Sequence, residues 1–157
     1  MAKTVRSRKA AGRRQASGTS AVRGRTWRQR GAPARRAKAQ LKHIPWNMVE
    51  LEALNPLLQR QFVVGRDIML ARVLLKKGCI VPEHSHVNEQ LTYILEGALK
   101  FWIDGKELVV GAGEVLTIPS NMPHKAEALE DTVDLDVFSP PRADWINKDD
   151  RYLRGSK

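Results

Sequence analysis

From Gln61 to Phe138 the chain repeats one device: a short apolar run followed by a turn, at intervals of roughly 8–12 residues. The turns are Val64-Gly65, Lys77-Gly78, Glu96-Gly97, Asp104-Gly105, Gly111-Ala112-Gly113 and Pro119-Ser120-Asn121. Runs this short between glycines read as strands, over 61–64, 68–76, 90–95, 98–103, 107–110, 115–118, 125–128 and 132–138. Around eight short strands with glycine turns predict an all-β jelly roll. Asp104-Gly105 is the clearest hairpin turn, because both residues tolerate positive φ. One stretch, 49–58, reads as helical and is shortened by Pro56.

Charge divides the chain. The net charge is +10, but residues 1–40 hold 13 of the 27 Lys and Arg and no acid, while the remainder holds all 17 acids. The head is therefore +13 and the body −3. Its few large apolar side chains include Val5, Val22 and Trp27. Such a segment cannot offset a backbone ordering cost of about 1–2 kcal/mol per residue, so 1–40 is expected to be a disordered basic tail. Three readings of it stand: non-specific, salt-dependent contact with nucleic acid, an Arg-rich targeting segment, or a dispensable extension. The pattern changes at His43-Ile44-Pro45-Trp46, where the chain is expected to meet a single domain over 41–157. One cysteine, Cys79, excludes an internal disulfide and a cysteine-built zinc cluster. No apolar run approaches the roughly 20 residues of a membrane helix, and no secretory h-region follows the basic start. The expectation is a cytoplasmic protein with no membrane partner.

Chemistry concentrates on histidine. His84 and His86 are one residue apart, so in extended chain both rings project to one face. Imidazole suits most first-row divalent ions, though such a pair also fits a surface turn. The wider spacing is more specific. Gly78, five residues, His84-Ser85-His86, three residues, Gln90, six residues, Gly97 forms one pattern. Gly113, five residues, Pro119, four residues, His124 forms a second. Together they resemble the two motifs of the cupin superfamily. The resemblance implies a double-stranded β-helix, a jelly-roll barrel, often dimeric. It also implies one divalent transition metal (Ni, Zn, Fe, Mn or Co) held by His84, His86, His124 and the residue at the acid position.

That acid position holds Gln90, and the second motif has Asn121 for Gly and Ala128 for Asn. Glu89 is the rival fourth ligand; the spacing and the even parity of 84, 86 and 90 favour Gln90. A neutral amide leaves the metal's full charge in the cage, which favours an anionic ligand.

The segments around His84–Gln90, Ile118–Thr132 and Asp136-Val137-Phe138-Ser139-Pro140-Pro141-Arg142 resemble, more narrowly, the cupins of pectin and alginate breakdown. Those linearise 4,5-unsaturated monouronates into open-chain keto sugar acids. The resemblance implies Asp136, Phe138 and Arg142 as catalytic residues beside the metal, and a small anionic sugar as partner. On this strand Asp134, Asp136 and Phe138 share one face and Val133, Leu135 and Val137 the other. From sequence either face can line the barrel. Arg142, after two prolines, is a stiffly held fork for a carboxylate or an exposed arginine. Arg72 is a second clamp or a solvated side chain. Tyr93 has parity opposite to Gln90 and faces away, towards a second subunit of a homodimer. Cys79 reads as packed, His43 as structural or surface, and Trp102 as undecided. The rival functions are an iron-dependent dioxygenase on the same fold and a sugar-binding protein without turnover.

Overall fold

The computed structural model describes residues 40–154. The basic tail expected over 1–40 lies outside them, apart from Gln40. Ten strands form two antiparallel sheets: β1 Glu52–Asn55, β2 Leu58–Val64, β3 Met69–Leu75, β4 Ile80–His84, β5 Glu89–Glu96, β6 Ala98–Ile103, β7 Lys106–Gly111, β8 Val115–Ile118, β9 His124–Ala128 and β10 Thr132–Ser139. One sheet runs β1-β2-β3-β10-β5-β8 and the other β4-β9-β6-β7. A short helix, α1 Ala143–Ile146, and 3-10 turns at Trp46–Met48 and Arg151–Leu153 complete the described chain. No helix among the described residues is long and apolar enough to cross a membrane.

The turn chemistry is the one the sequence demands. Asp104 and Gly105 both take positive φ, 51° and 68°, as a two-residue hairpin requires. Asn121 replaces the motif's glycine at φ 62°, a conformation that asparagine tolerates. Gly97 has a second constraint: a Cβ there would stand 2.4 Å from the Asp131 carbonyl oxygen.

Two expectations are corrected. The helix over 49–58 is instead β1, a turn at Pro56-Leu57 and the start of β2. Proline confines the preceding Asn55 to extended backbone, and the Asn55 side chain accepts the Leu57 N–H at 2.9 Å, turning the chain back. β4 was absent from the expected strands because Pro82 lies inside it. It is tolerated there because β4 is an edge strand with an irregular register between Val81 and His84.

β10 lies between β3 and β5 and decides which face is internal. Thr132, Asp134, Asp136 and Phe138 are buried; Val133, Leu135 and Val137 are half-buried on the outer side. The polar face lines the barrel, together with Ala71, Val73, Ile94, Leu99, Phe101 and Ala126.

The chain's last described residues are bound to β1 and β2. Arg60, fully buried, pairs with Asp150 at 2.5 Å and with Glu52 at 2.9 Å. Arg154 pairs with Glu52 at 2.7 Å and Asp150 at 2.8 Å. Asn55 donates to the Leu153 carbonyl at 2.8 Å. Trp145 of α1 packs edge-on against Phe138, centroids 5.1 Å apart.

Candidate metal centre

His84 ends β4 and His124 begins β9, directly opposite it in the register. His86 follows in the loop before β5. One nitrogen from each of the three lies within 4.8 Å of the others. The Nδ1 atoms are already engaged: His84 with the Pro82 carbonyl at 2.9 Å, His86 with Asn88 at 3.0 Å, His124 with Met122 at 2.8 Å. A carbonyl accepts only, so each Nδ1 carries the proton and each Nε2 keeps a lone pair.

Burial is the main force holding all three rings neutral. It lowers the pKa of His84 to about 3, reinforced by the charge of His124, and of His86 to about 4, reinforced by Arg142. His124 is lowered by burial too. Neutral imidazole is the ligating form.

Gln90 stands beside the three histidines, with its Oε1 3.1 Å from His86 Nε2. Its side chain is buried on the inner face of β5, whereas Glu89 is exposed on the outer face. The amide nitrogen donates to Thr92 Oγ1 and to Asp136 Oδ1, both at 2.8 Å. Both amide hydrogens are thus spent, and Oε1 points at His86 Nε2, 3.1 Å away. With Nδ1 of His86 protonated, two lone pairs face each other. That arrangement suits a cation held by both, and His84, His86, Gln90 and His124 fit one divalent ion.

Asp136 stands opposite Thr92 in the β10–β5 register, and Phe138 opposite Gln90. Thr92 Oγ1 donates to Asp136 Oδ1 at 2.6 Å. Burial raises the Asp136 carboxyl to about 6, opposed by the bonds from Thr92 and Gln90 and by Arg142. Phe138 is buried, its ring edge-on to His86 at 5.7 Å. Arg142 is 1 % exposed, which removes the reading as a surface arginine. Its Nε and Nη2 donate to the two oxygens of Asp144 at 2.9 and 2.6 Å. A cavity of about 60 Å3 joins these groups, lined by His84, Gln90, His124, Asp136, Phe138 and Arg142.

Other expected residues lie elsewhere. Arg72 is on the outer face of β3, near Gln61, so it is no clamp for a ligand in the barrel. Tyr93 is 40 % exposed on the outer face of β5. Trp102 lies between Lys100 and Lys125 on the outside of the smaller sheet. Cys79 is buried and His43 exposed. Among the partners of the site residues, Thr92, Asp144 and Tyr152 were not named from the sequence. Thr92 shares Gln90's parity and was findable by that rule. Asp144 and Tyr152 follow the last strand and carry no periodic signal.

Comparison with known proteins agrees with this geometry. The Cupin domain family matches residues 71–139. The pectin degradation protein KdgF of Dickeya dadantii (strain 3937) is 30% identical over 105 residues, spanning 65% of this chain and 91% of that protein. The structure of KdgF from Halomonas sp. superposes with a TM-score of 0.64 at 26% identity, covering 68% of this chain and 99% of that one. An RmlC-like cupin from Shewanella frigidimarina NCIMB 400 gives a TM-score of 0.63 at 26% identity, over 68% and 97% of the two chains.

Proposed function

The chain belongs to the cupin superfamily, and from that premise we propose that it converts 4,5-unsaturated monouronates from pectin or alginate into linear keto sugar acids. The observation that carries the reading is the coupling of the metal cage to an acid through one amide: Gln90 turns Oε1 to His86 and Nε2 to Asp136. Similarity to a pectin degradation protein supports the substrate class.

His84, His86, Gln90 and His124 would hold a divalent ion, which when bound would supply Lewis-acid polarisation and a template without a change of oxidation state. Ring opening breaks the hemiacetal C–O bond and leaves an aldehyde and an enol. The enol takes a proton at carbon and loses its hydroxyl proton, becoming the ketone. Asp136 moves that proton. Both bonds it accepts fall on Oδ1, and among the described residues no donor reaches Oδ2. Phe138 presents an apolar wall to the sugar ring. Arg142 takes the carboxylate.

On the same reading the protein is cytoplasmic, with residues 41–157 as its one cupin domain. A second copy is its partner. The outer face of β5, with Leu91, Tyr93 and Leu95 each about two-fifths exposed, together with Val115 of β8, supports a homodimer. Contact of 1–40 with nucleic acid is a separate reading, carried by its thirteen positive charges and tested by retardation with and without that segment.

The test is metal analysis of the purified protein together with incubation against unsaturated galacturonate, following loss of the enol-ether absorbance. Turnover that needs the metal and is lost in Asp136→Asn, with metal content retained, is the expected result. Turnover unchanged in Asp136→Asn overturns the role of that acid.

A further inference from the structure

Tyr152, from the 3-10 turn Arg151–Leu153, stands between two of the groups that the proposed function uses. Its ring stacks on His84, centroids 4.6 Å apart at 28°. Its hydroxyl oxygen accepts a hydrogen from Arg142 Nη2 at 2.8 Å.

The guanidinium of Arg142 is nearly full. A guanidinium has a side fork, Nε–H with one Nη2–H, and an end fork, the other Nη2–H with one Nη1–H. Asp144 occupies the whole side fork with its two oxygens. Tyr152 takes the remaining Nη2 hydrogen and so holds half of the end fork. Among the described residues Nη1 donates to none. A carboxylate can pair bidentately with Arg142 only where the Tyr152 hydroxyl now sits. Volume leads to the same conclusion. The cavity beside Arg142 is about 60 Å3, whereas pockets for small molecules run to about 300–1,000 Å3.

We propose that Tyr152 is a placeholder for the ligand's carboxylate, and that an acid-bearing ligand enters by displacing its hydroxyl from Arg142 and opening the turn Arg151–Leu153 away from His84. This rests on the uronate reading and deepens it. Asp144 keeps the side fork filled and so aims the end fork at the incoming carboxylate. The turn is anchored on both sides of Tyr152, Asp150 by buried Arg60, Leu153 by Asn55 and Arg154 by Glu52, so the opening is centred on Tyr152.

Tyr152→Phe keeps the ring on His84 and removes only the hydroxyl. The full chain, with Zn2+ added, is titrated calorimetrically with D-galacturonate, a saturated monouronate. The variant is expected to bind about three- to tenfold more tightly, since it has no hydrogen bond to surrender first. Equal or weaker binding overturns the placeholder. Amide exchange gives a second readout. Leu153 N–H and Arg154 N–H bond to the Asp150 and Arg151 carbonyls at 3.1 and 3.0 Å. Galacturonate is expected to speed their exchange in the wild type, the reverse of ordinary ligand protection; slowed or unchanged exchange overturns the opening. A wild type that takes up no galacturonate overturns the uronate reading instead. The latch is then judged on ligand-free exchange alone: faster in Tyr152→Phe supports it, and equal rates overturn it.

Discussion

Gln90 and Asp136 are joined by a hydrogen bond of 2.8 Å from the amide nitrogen to Oδ1, so the residue whose oxygen lies beside His86 also holds the buried acid. A glutamate at this position would set a second carboxylate against Asp136. At that separation two like charges repel by on the order of several kcal/mol even at an effective dielectric near 20. The substitution of Gln for the family's usual Glu is therefore matched to the presence of Asp136 on the neighbouring strand.

Gln90→Glu tests this match directly. The variant is expected to retain its metal, since carboxylate oxygen is a good ligand for divalent ions, and to lose at least about tenfold in turnover because Asp136 is driven towards its protonated form. Elemental analysis and initial rates on unsaturated galacturonate check both halves. Full activity with full metal content would show that the amide bond to Asp136 is unimportant.

Metal removal is expected to destabilise the fold as well as stop the chemistry. A ligand that binds the native state alone adds about 2.7 kcal/mol at a hundredfold excess over its dissociation constant. Chelation should lower the melting temperature of the wild type and leave that of His124→Ala unchanged, because the variant lacks one of the three clustered nitrogens. Equal chelator response in both chains would remove His124 from the cage.

Much of this site was legible because two periodicities coincide. Strand parity put Gln90 and Tyr93 on opposite faces, and the resemblance of the two motifs to the cupin pattern implied that His84, His86 and His124 meet, as they do. Parity could not say which face of β10 is internal. Its acids and its valines alternate, and only the neighbours Ala71, Ile94 and Thr92 in β3 and β5 decide it. The residues beyond Arg142 were illegible for another reason. Asp144 is held by Arg142, Trp145 packs on Phe138 under the Arg60 guanidinium, and Tyr152 stacks on His84, contacts that leave no periodic pattern.

Solution mass tests the outer sheet face. Leu91, Tyr93 and Leu95 alternate with buried Gln90, Thr92 and Ile94, so β5 is apolar on its outer side as well. Light scattering is expected to give twice the chain mass for the wild type and the chain mass for Leu91→Asp, with metal content unchanged. A monomeric wild type would overturn the homodimer.

The last prediction concerns Asp134, which is 4 % exposed and whose Oδ1 finds no hydrogen-bond partner among the described residues. Burial raises its carboxyl well above the ordinary 3.8, and the charge of Asp136 adds to the effect. The sign of the linkage follows. Below the ordinary value the carboxyl is protonated in both states, so the folded protein carries no penalty. As pH rises the unfolded chain releases its proton while the folded one keeps it, and stability falls until the folded carboxyl ionises. Each tenfold difference in proton affinity costs about 1.4 kcal/mol. Asp134→Asn removes the ionisation and keeps the shape. Urea unfolding in chelator, so that metal loss at acid pH plays no part, should show the variant gaining at least about 1 kcal/mol on the wild type between pH 3 and pH 7. The unpartnered amide costs the same at both ends, so the difference between the two pH values isolates the carboxyl. Parallel profiles for the two chains would mean that Asp134 ionises as freely folded as unfolded.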